Sequence, residues 1–270
     1  MDIGVITHLK DKANNFDQVK HLGLDVCQLF GGEMNLATKE IATQVSKEST
    51  ETNVRICAVW AGMPGTQIWN FLEGPVTLGI VPEAFREERV KAIKRWADFA
   101  SWIGAPAIIT HCGFIPENVT DREYLSVVET IQEVAQYCDK LGIGFWFETG
   151  QETPIVLLRT IERIGTSNLG INLDPANLIL YGKGNPIDAL DVIGKYVRNI
   201  HVKDGLYPTT GDRLGEEVPP GRGKVQFPEF IAKLKKMGFN GQFIIEREIS
   251  GEQQLVDIRK TIDDLKIWWG

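Results

Sequence analysis

Four short apolar runs in the second half of the chain each deliver an ionisable side chain. GFWFE closes on Glu148, GINLD closes on Asp174, NIHVKD contains His201, and QFIIE closes on Glu246. β-propensity accounts for the Phe, Ile and Val in these runs but not for what ends them. Three carboxylates gathered in one place repel one another, and buried charge is costly unless it is paired. A divalent cation answers both demands, neutralising the oxygens and taking the imidazole nitrogen as a further donor. Three oxygens and one nitrogen suit Mn²⁺, Mg²⁺ or Co²⁺, with Zn²⁺ also compatible, and leave positions open for substrate or water. Taken singly, a carboxylate at a strand end has a plainer reading as a helix N-cap or a solvated loop residue. It is the fourfold recurrence that points to a metal site.

Such a site requires four neighbouring parallel strands, and the rest of the chain supplies the pattern for them. The 270 residues repeat one theme, a short Val/Ile/Phe-rich run followed by a longer stretch of helical spacing. The runs fall at 2–7, 24–30, 54–60, 106–111, 143–148, 169–174, 197–203 and 242–246. Between them, segments such as 83–104 and 121–142 repeat apolar residues at three- and four-residue intervals, the mark of a helix with one buried stripe. Gly23, Gly104, Gly142, Gly165 and Gly238 fall shortly before strands, where a left-handed helix cap belongs. Eight such units in this length predict a single (β/α)8 TIM barrel spanning 1–270, typically ~250 residues in size. An open doubly wound sheet is the competing architecture, but the first strand is followed by THLKDKANN rather than a glycine-rich phosphate turn.

Two connections exceed what a barrel needs, 61–82 after strand three and 205–226 after strand seven. Both follow strands, so both belong on the catalytic face as lids or pocket walls. The formal charge of -7 excludes a broad attraction for nucleic acid or an anionic membrane. The start MDIGVITHLKDK lacks a long apolar segment, and no run approaches the ~18 apolar residues of a membrane span. A cytoplasmic protein follows as the expectation. Cys27, Cys57, Cys112 and Cys138 lack CxxC spacing and read as buried free thiols, three of them within strand-like runs.

The chain resembles the sugar isomerase/epimerase superfamily of xylose-isomerase-like barrels, which also holds inosose dehydratase and endonuclease IV. The resemblance covers essentially the whole chain, through ITHCG at His111, FETG at Glu148, DPAN at Asp174, HVKDG at His201, PGRGKV, and IIERE at Glu246. It implies that Glu148, Asp174, His201 and Glu246 hold one divalent metal. It implies further that Glu148 and Glu246 exchange protons on opposite faces of a ketose. Physically, a metal on the carbonyl and neighbouring hydroxyl acidifies the adjacent C–H and stabilises the enediolate. Epimerisation uses a base on each face, whereas aldose–ketose isomerisation uses one.

Departures from the family pattern narrow this reading. Endonuclease IV needs more histidines than the four in this chain, and has one where Asn177 stands, so DNA repair is not expected. Epimerases commonly place a histidine at the Asn177 position, to hold a sugar hydroxyl, and an arginine soon after the strand-seven histidine. Asn177 can still bond a hydroxyl. His111, ending strand four, suits a substrate contact, an extra ligand or a cap on the barrel rim. Lys203 shares a face with His201 and suits a substrate contact or an ion pair. Arg222 in PPGRGK suits a phosphate or carboxylate contact or a solvated loop. Asp204 reads as a loop cap. His8 and Trp60 suit pocket walls, Trp60 and Trp69 alike suit core packing, a sugar face or a subunit contact, and His21 reads as surface.

The leading expectation is a metal-dependent sugar isomerase or epimerase acting on a small ketose or polyol-derived ketone, phosphorylated or not, in carbohydrate metabolism. The alternatives are an inosose-type dehydratase and a sugar-binding barrel without turnover. The resemblance also implies a homo-oligomer.

Overall fold

A computed structural model of the chain describes residues 1–11 and 14–270. Eight parallel strands form in sequence order: β1 (Asp2–His8), β2 (Val26–Gly31), β3 (Arg55–Ala61), β4 (Ala107–Thr110), β5 (Gly144–Glu148), β6 (Leu169–Leu173), β7 (Val197–Val202) and β8 (Gln242–Ile245). They close into a barrel, with β8 hydrogen-bonded to β1 through pairs such as Gly4 with Ile244. The chain is therefore a TIM barrel and not an open sheet. β4 and β6 are buried along their whole length, as expected of parallel strands covered by helices outside and packed side chains inside.

The helix Glu83–Trp102 buries Ile93, Trp96, Ala97 and Ala100, and the helix Arg122–Lys140 buries Val127, Ile131, Val134 and Ala135. They are followed by Gly104 and Gly142 at φ 71° and 73°, where any other residue would be strained. The main core lies between these helices and the strands. Inside the barrel the filling is mixed. Two small apolar clusters, one around Val26, Cys57 and Ile244 and one around Ala58, Trp60 and Ile109, share the interior with fully buried Gln28, Asn172, Asn199 and His201. Buried polar groups of this kind are tolerated only when they find partners.

The two long connections are built differently. Residues 61–82 form a wall pinned from behind: the buried Arg89 guanidinium donates to the carbonyls of Pro64, Thr66, Thr77 and Gly79 at 2.6–3.1 Å. Residues 205–226 are gathered by Asp204, whose carboxylate accepts N–H bonds from Gly205, Gly221, Gly223 and Val225 at 2.9–3.1 Å. A Cβ on Gly223 would lie 2.1 Å from Asp204 Oδ1, so the glycines of PGRG serve this clamp. All four cysteines are free and buried. Only two of them lie in strands: Cys27 and Cys57 do, while Cys112 follows β4 and Cys138 sits in a helix. That is one fewer than the three expected in strand-like runs, because β4 ends at Thr110, two residues before Cys112. Among the described residues, no helix is long and apolar enough to cross a membrane.

Candidate metal centre

Side chains alternate across a strand, so each strand offers one last inward position at the carboxyl rim. Eight residues occupy these positions, and contacts link them in two groups that meet at Glu148. His8 meets Phe30 at 4.9 Å between ring centroids, Phe30 stacks on Trp60 at 4.7 Å, and Trp60 meets His111 edge-on at 6.0 Å. His111 Nε2 lies 3.7 Å from Glu148 Oε1, which lies 2.9 Å from His201 Nδ1. The same nitrogen lies 3.8 Å from Asp174 Oδ2 and 3.0 Å from Glu246 Oε2. Strands one to four thus contribute aromatic rings, and strands five to eight contribute the four donors.

One ligand-type atom from each of Glu148, Asp174, His201 and Glu246 falls within 4.8 Å of the others, a spacing that could hold a metal ion. Asp174 Oδ2, His201 Nδ1 and Glu246 Oε2 are buried and have no hydrogen-bond partner. The two carboxylate oxygens lie 3.8 and 3.0 Å from the imidazole nitrogen, so the three atoms gather about a common centre. Their remaining atoms are held from behind. Asp174 caps the helix Pro175–Leu180, its Oδ1 accepting from Asn177 N–H at 2.9 Å, so the N-cap role and a free second oxygen coexist. Glu148 Oε2 accepts from the Trp60 indole N–H. His201 Nε2 meets Gln28 Oε1 at 2.8 Å.

Electrostatics keep the cluster charged. Burial alone would lower the His201 pKa, but Glu148 and Glu246 push it well above the ordinary value. Burial opposes ionisation of Glu148 and Glu246 too, yet His201 and His111 beside the first, and Lys203 and His201 beside the second, take both below the usual carboxylate range. Burial raises the Asp174 carboxyl, against the pull of Lys203. Lys203 is itself buried and stays charged, its Nζ reaching Glu248 at 2.5 Å, Glu246 at 3.5 Å and Asp174 at 3.6 Å. With all three carboxylates ionised, the charged Lys203 and a proton on His201 still leave the cluster with one negative charge in excess. A cation binding there displaces that proton.

The cluster reaches solvent on one side. The Glu246 side chain is 17% exposed, against 2% for Glu148. Beside it lies a cavity of about 870 Å³ between the tips of β1 and β8, lined in part by His8, Phe30, Glu248 and Ser250.

The other sequence candidates divide. His111, Asn177, Lys203, Trp60 and His8 are brought to this rim: Asn177 is buried and its Oδ1 lies 3.4 Å from Lys203 Nζ. Trp69, from the pinned wall, is 44% exposed and covers His111 edge-on at 5.2 Å. Arg222 is exposed on the loop that Asp204 clamps. His21 is exposed at the end of the helix Asp17–His21. Sequence reading missed Phe30 and Gln28, both on the inner face of β2. It also missed Glu152, a buried carboxyl that burial pushes up to about 8.

The chain is a closed (β/α)8 barrel with three carboxylates and an imidazole gathered at its carboxyl rim, a barrel with a candidate metal site. Residues 16–266 match the xylose isomerase-like TIM barrel family, and the chain belongs to that family. A xylose isomerase domain protein from Planctomyces limnophilus is 34% identical, aligns over 98% of this chain and 96% of its own, and superposes with a TM-score of 0.93. A D-tagatose 3-epimerase-like protein shares the fold at 21% identity, with 99% of this chain and 98% of its own covered and a TM-score of 0.76. An inosose dehydratase from Geobacillus kaustophilus (strain HTA426) is 26% identical over 191 residues, 60% of this chain. The chain spans 62% of that relative's length.

Proposed function

We propose that the chain is a divalent-metal-dependent sugar isomerase or epimerase, which shifts a proton next to the carbonyl of a small ketose or related hydroxycarbonyl through an enediolate. The observation that carries this reading is the convergence of Asp174 Oδ2, His201 Nδ1 and Glu246 Oε2, buried and without hydrogen bonds, on one point beside Glu148. Glu148, Asp174, His201 and Glu246 would hold the cation, with Mn²⁺, Mg²⁺ or Co²⁺ matching the oxygen-rich donor set and Zn²⁺ also compatible. Bound there, it would polarise the carbonyl and neighbouring hydroxyl and acidify the C–H between them.

The chain's own residues supply the proton handling. Glu148 is held by Trp60 and kept ionised by the two histidines, so it is ready to accept a proton as a base. Glu246 is ionised by Lys203 and His201 and borders the cavity, where it can act on the substrate from a second direction. Lys203 and Asn177 offer donors for substrate hydroxyls, and His111 stands beside Glu148. Trp60, Phe30 and His8 offer ring faces to the C–H side of a sugar. Buried free thiols and the acidic charge fit a cytoplasmic enzyme with no nucleic-acid partner.

The inosose dehydratase relative favours one second reading, in which the same proton abstraction is followed by loss of a hydroxyl. Incubating the Mn²⁺-loaded protein with a panel of ketoses and inososes in D₂O separates the two. Deuterium uptake with an isomeric sugar supports the isomerase or epimerase, and loss of water supports the dehydratase. No exchange with any member of the panel leaves a sugar-binding barrel and contradicts the proposal.

A further inference from the structure

Gln28 occupies a place where barrel strands ordinarily carry branched aliphatic residues. It lies in the middle of β2, on the inner face with Phe30, and is fully buried. Its Oε1 meets His201 Nε2 at 2.8 Å, and its Nε2 donates to Asn172 Oδ1 at 3.4 Å. The two contacts orient the amide: with the nitrogen turned to Asn172, the oxygen is the atom that faces the imidazole. An oxygen there can only accept, so His201 must carry a hydrogen on Nε2.

We infer that Gln28 is a positioning residue that fixes the His201 tautomer and so presents the Nδ1 lone pair to the three carboxylates, given the metal reading proposed above. The opposite tautomer would turn an N–H toward the point where Glu148, Asp174 and Glu246 converge and leave no lone pair there for a cation. Such support of a metal-binding histidine through its other nitrogen more often comes from a carboxylate or a backbone carbonyl. Here a neutral amide does it, adding no charge to a cluster already rich in carboxylates.

Replacing Gln28 by methionine keeps the length of the side chain and removes the acceptor, while Gln28→Glu restores one. The chain has four histidines, which makes the ring nitrogens of ¹⁵N-histidine protein assignable in the Mg²⁺-loaded state by long-range ¹H–¹⁵N correlation. The wild-type spectrum should show His201 protonated on Nε2. In Gln28→Met the Nε2–H, without its acceptor, should shift and exchange with solvent faster, and the Kd for Mn²⁺ by calorimetry should weaken by about 10- to 100-fold. Gln28→Glu should recover the Nε2–H signal and most of the affinity, a rescue that a space-filling role would not produce. Wild-type Kd and Nε2–H signal retained in Gln28→Met would overturn the inference, as would a wild-type His201 protonated on Nδ1 or a Gln28→Glu variant as weak as Gln28→Met. Failure of the wild-type chain to bind Mn²⁺ at all would instead bring down the metal reading on which it depends.

Discussion

The tips of β1 to β4 carry His8, Phe30, Trp60 and His111, which pack against one another at centroid distances of 4.7–6.0 Å. The tips of β5 to β8 carry Glu148, Asp174, His201 and Glu246, and three of the four leave a buried atom without a hydrogen bond. Both halves use the same device, the last inward position of a parallel strand. The aromatic half is complete when the chain folds, because each ring pair contributes about 0.5–1.5 kcal/mol beyond its buried area. The donor half is not, because desolvating an ion costs several kcal/mol and here the carboxylates outnumber the buried cations. One half of the rim is thus a packed wall, and the other waits for charge.

Two contacts join the halves, Trp60 to Glu148 and His111 to Glu148, so Glu148 is the place where the comparison can be broken most easily. Glu148→Gln should lower the rate of C–H exchange by about 10²- to 10⁴-fold, the usual range for a lost general base, measured by deuterium uptake. Full turnover in that variant would remove the distinction between the halves. Glu152, four residues on, tests burial without ligation. Its folded pKa of about 8 exceeds the ordinary 4.5, so between these values the folded chain keeps a proton that the unfolded chain has lost, and stability falls as pH rises. Glu152→Gln should therefore match wild type in melting temperature near pH 4.5 and exceed it by several degrees near pH 8. An equal gap at both pH values would refute that assignment.

Smaller effects belong to the aromatic half. Trp60→Phe keeps the ring and removes the N–H on Glu148, a charge-assisted bond of about 1.5 kcal/mol, so exchange should slow roughly tenfold. Its Kd for Mn²⁺ should stay within a few-fold of wild type. Phe30→Leu should raise the KM for the sugar by about two- to fivefold, as loss of a single ring contact implies, with Mn²⁺ binding unchanged. A large loss of metal affinity in Phe30→Leu would show that the wall does more than pack.

The donor half was the more legible in the sequence, and the reason is physical. An ionisable residue at the end of GFWFE or QFIIE contradicts its surroundings and stands out, whereas Phe30 at the end of VCQLF looks like more core. Gln28 is mid-strand, with no spacing partner; its reason for being there is His201, 173 residues away in sequence, and only the closed barrel brings them together. Strand positions were equally readable from periodicity, the largest slip being β2, which begins at Val26 because Leu24 still bonds back to Val19 in the preceding helix. The long connections showed their length but not their pins. Arg89 reads as one charge on an amphipathic helix until its four carbonyl partners are seen.

Titrating metal-stripped protein with Mn²⁺, with melting followed in parallel, tests the shared cation most directly. One Mn²⁺ per chain should bind, with about 2.7 kcal/mol of stabilisation at 100 times the Kd, and His201→Ala should abolish both. Unchanged binding in His201→Ala, or no binding by the wild-type chain, would contradict the account.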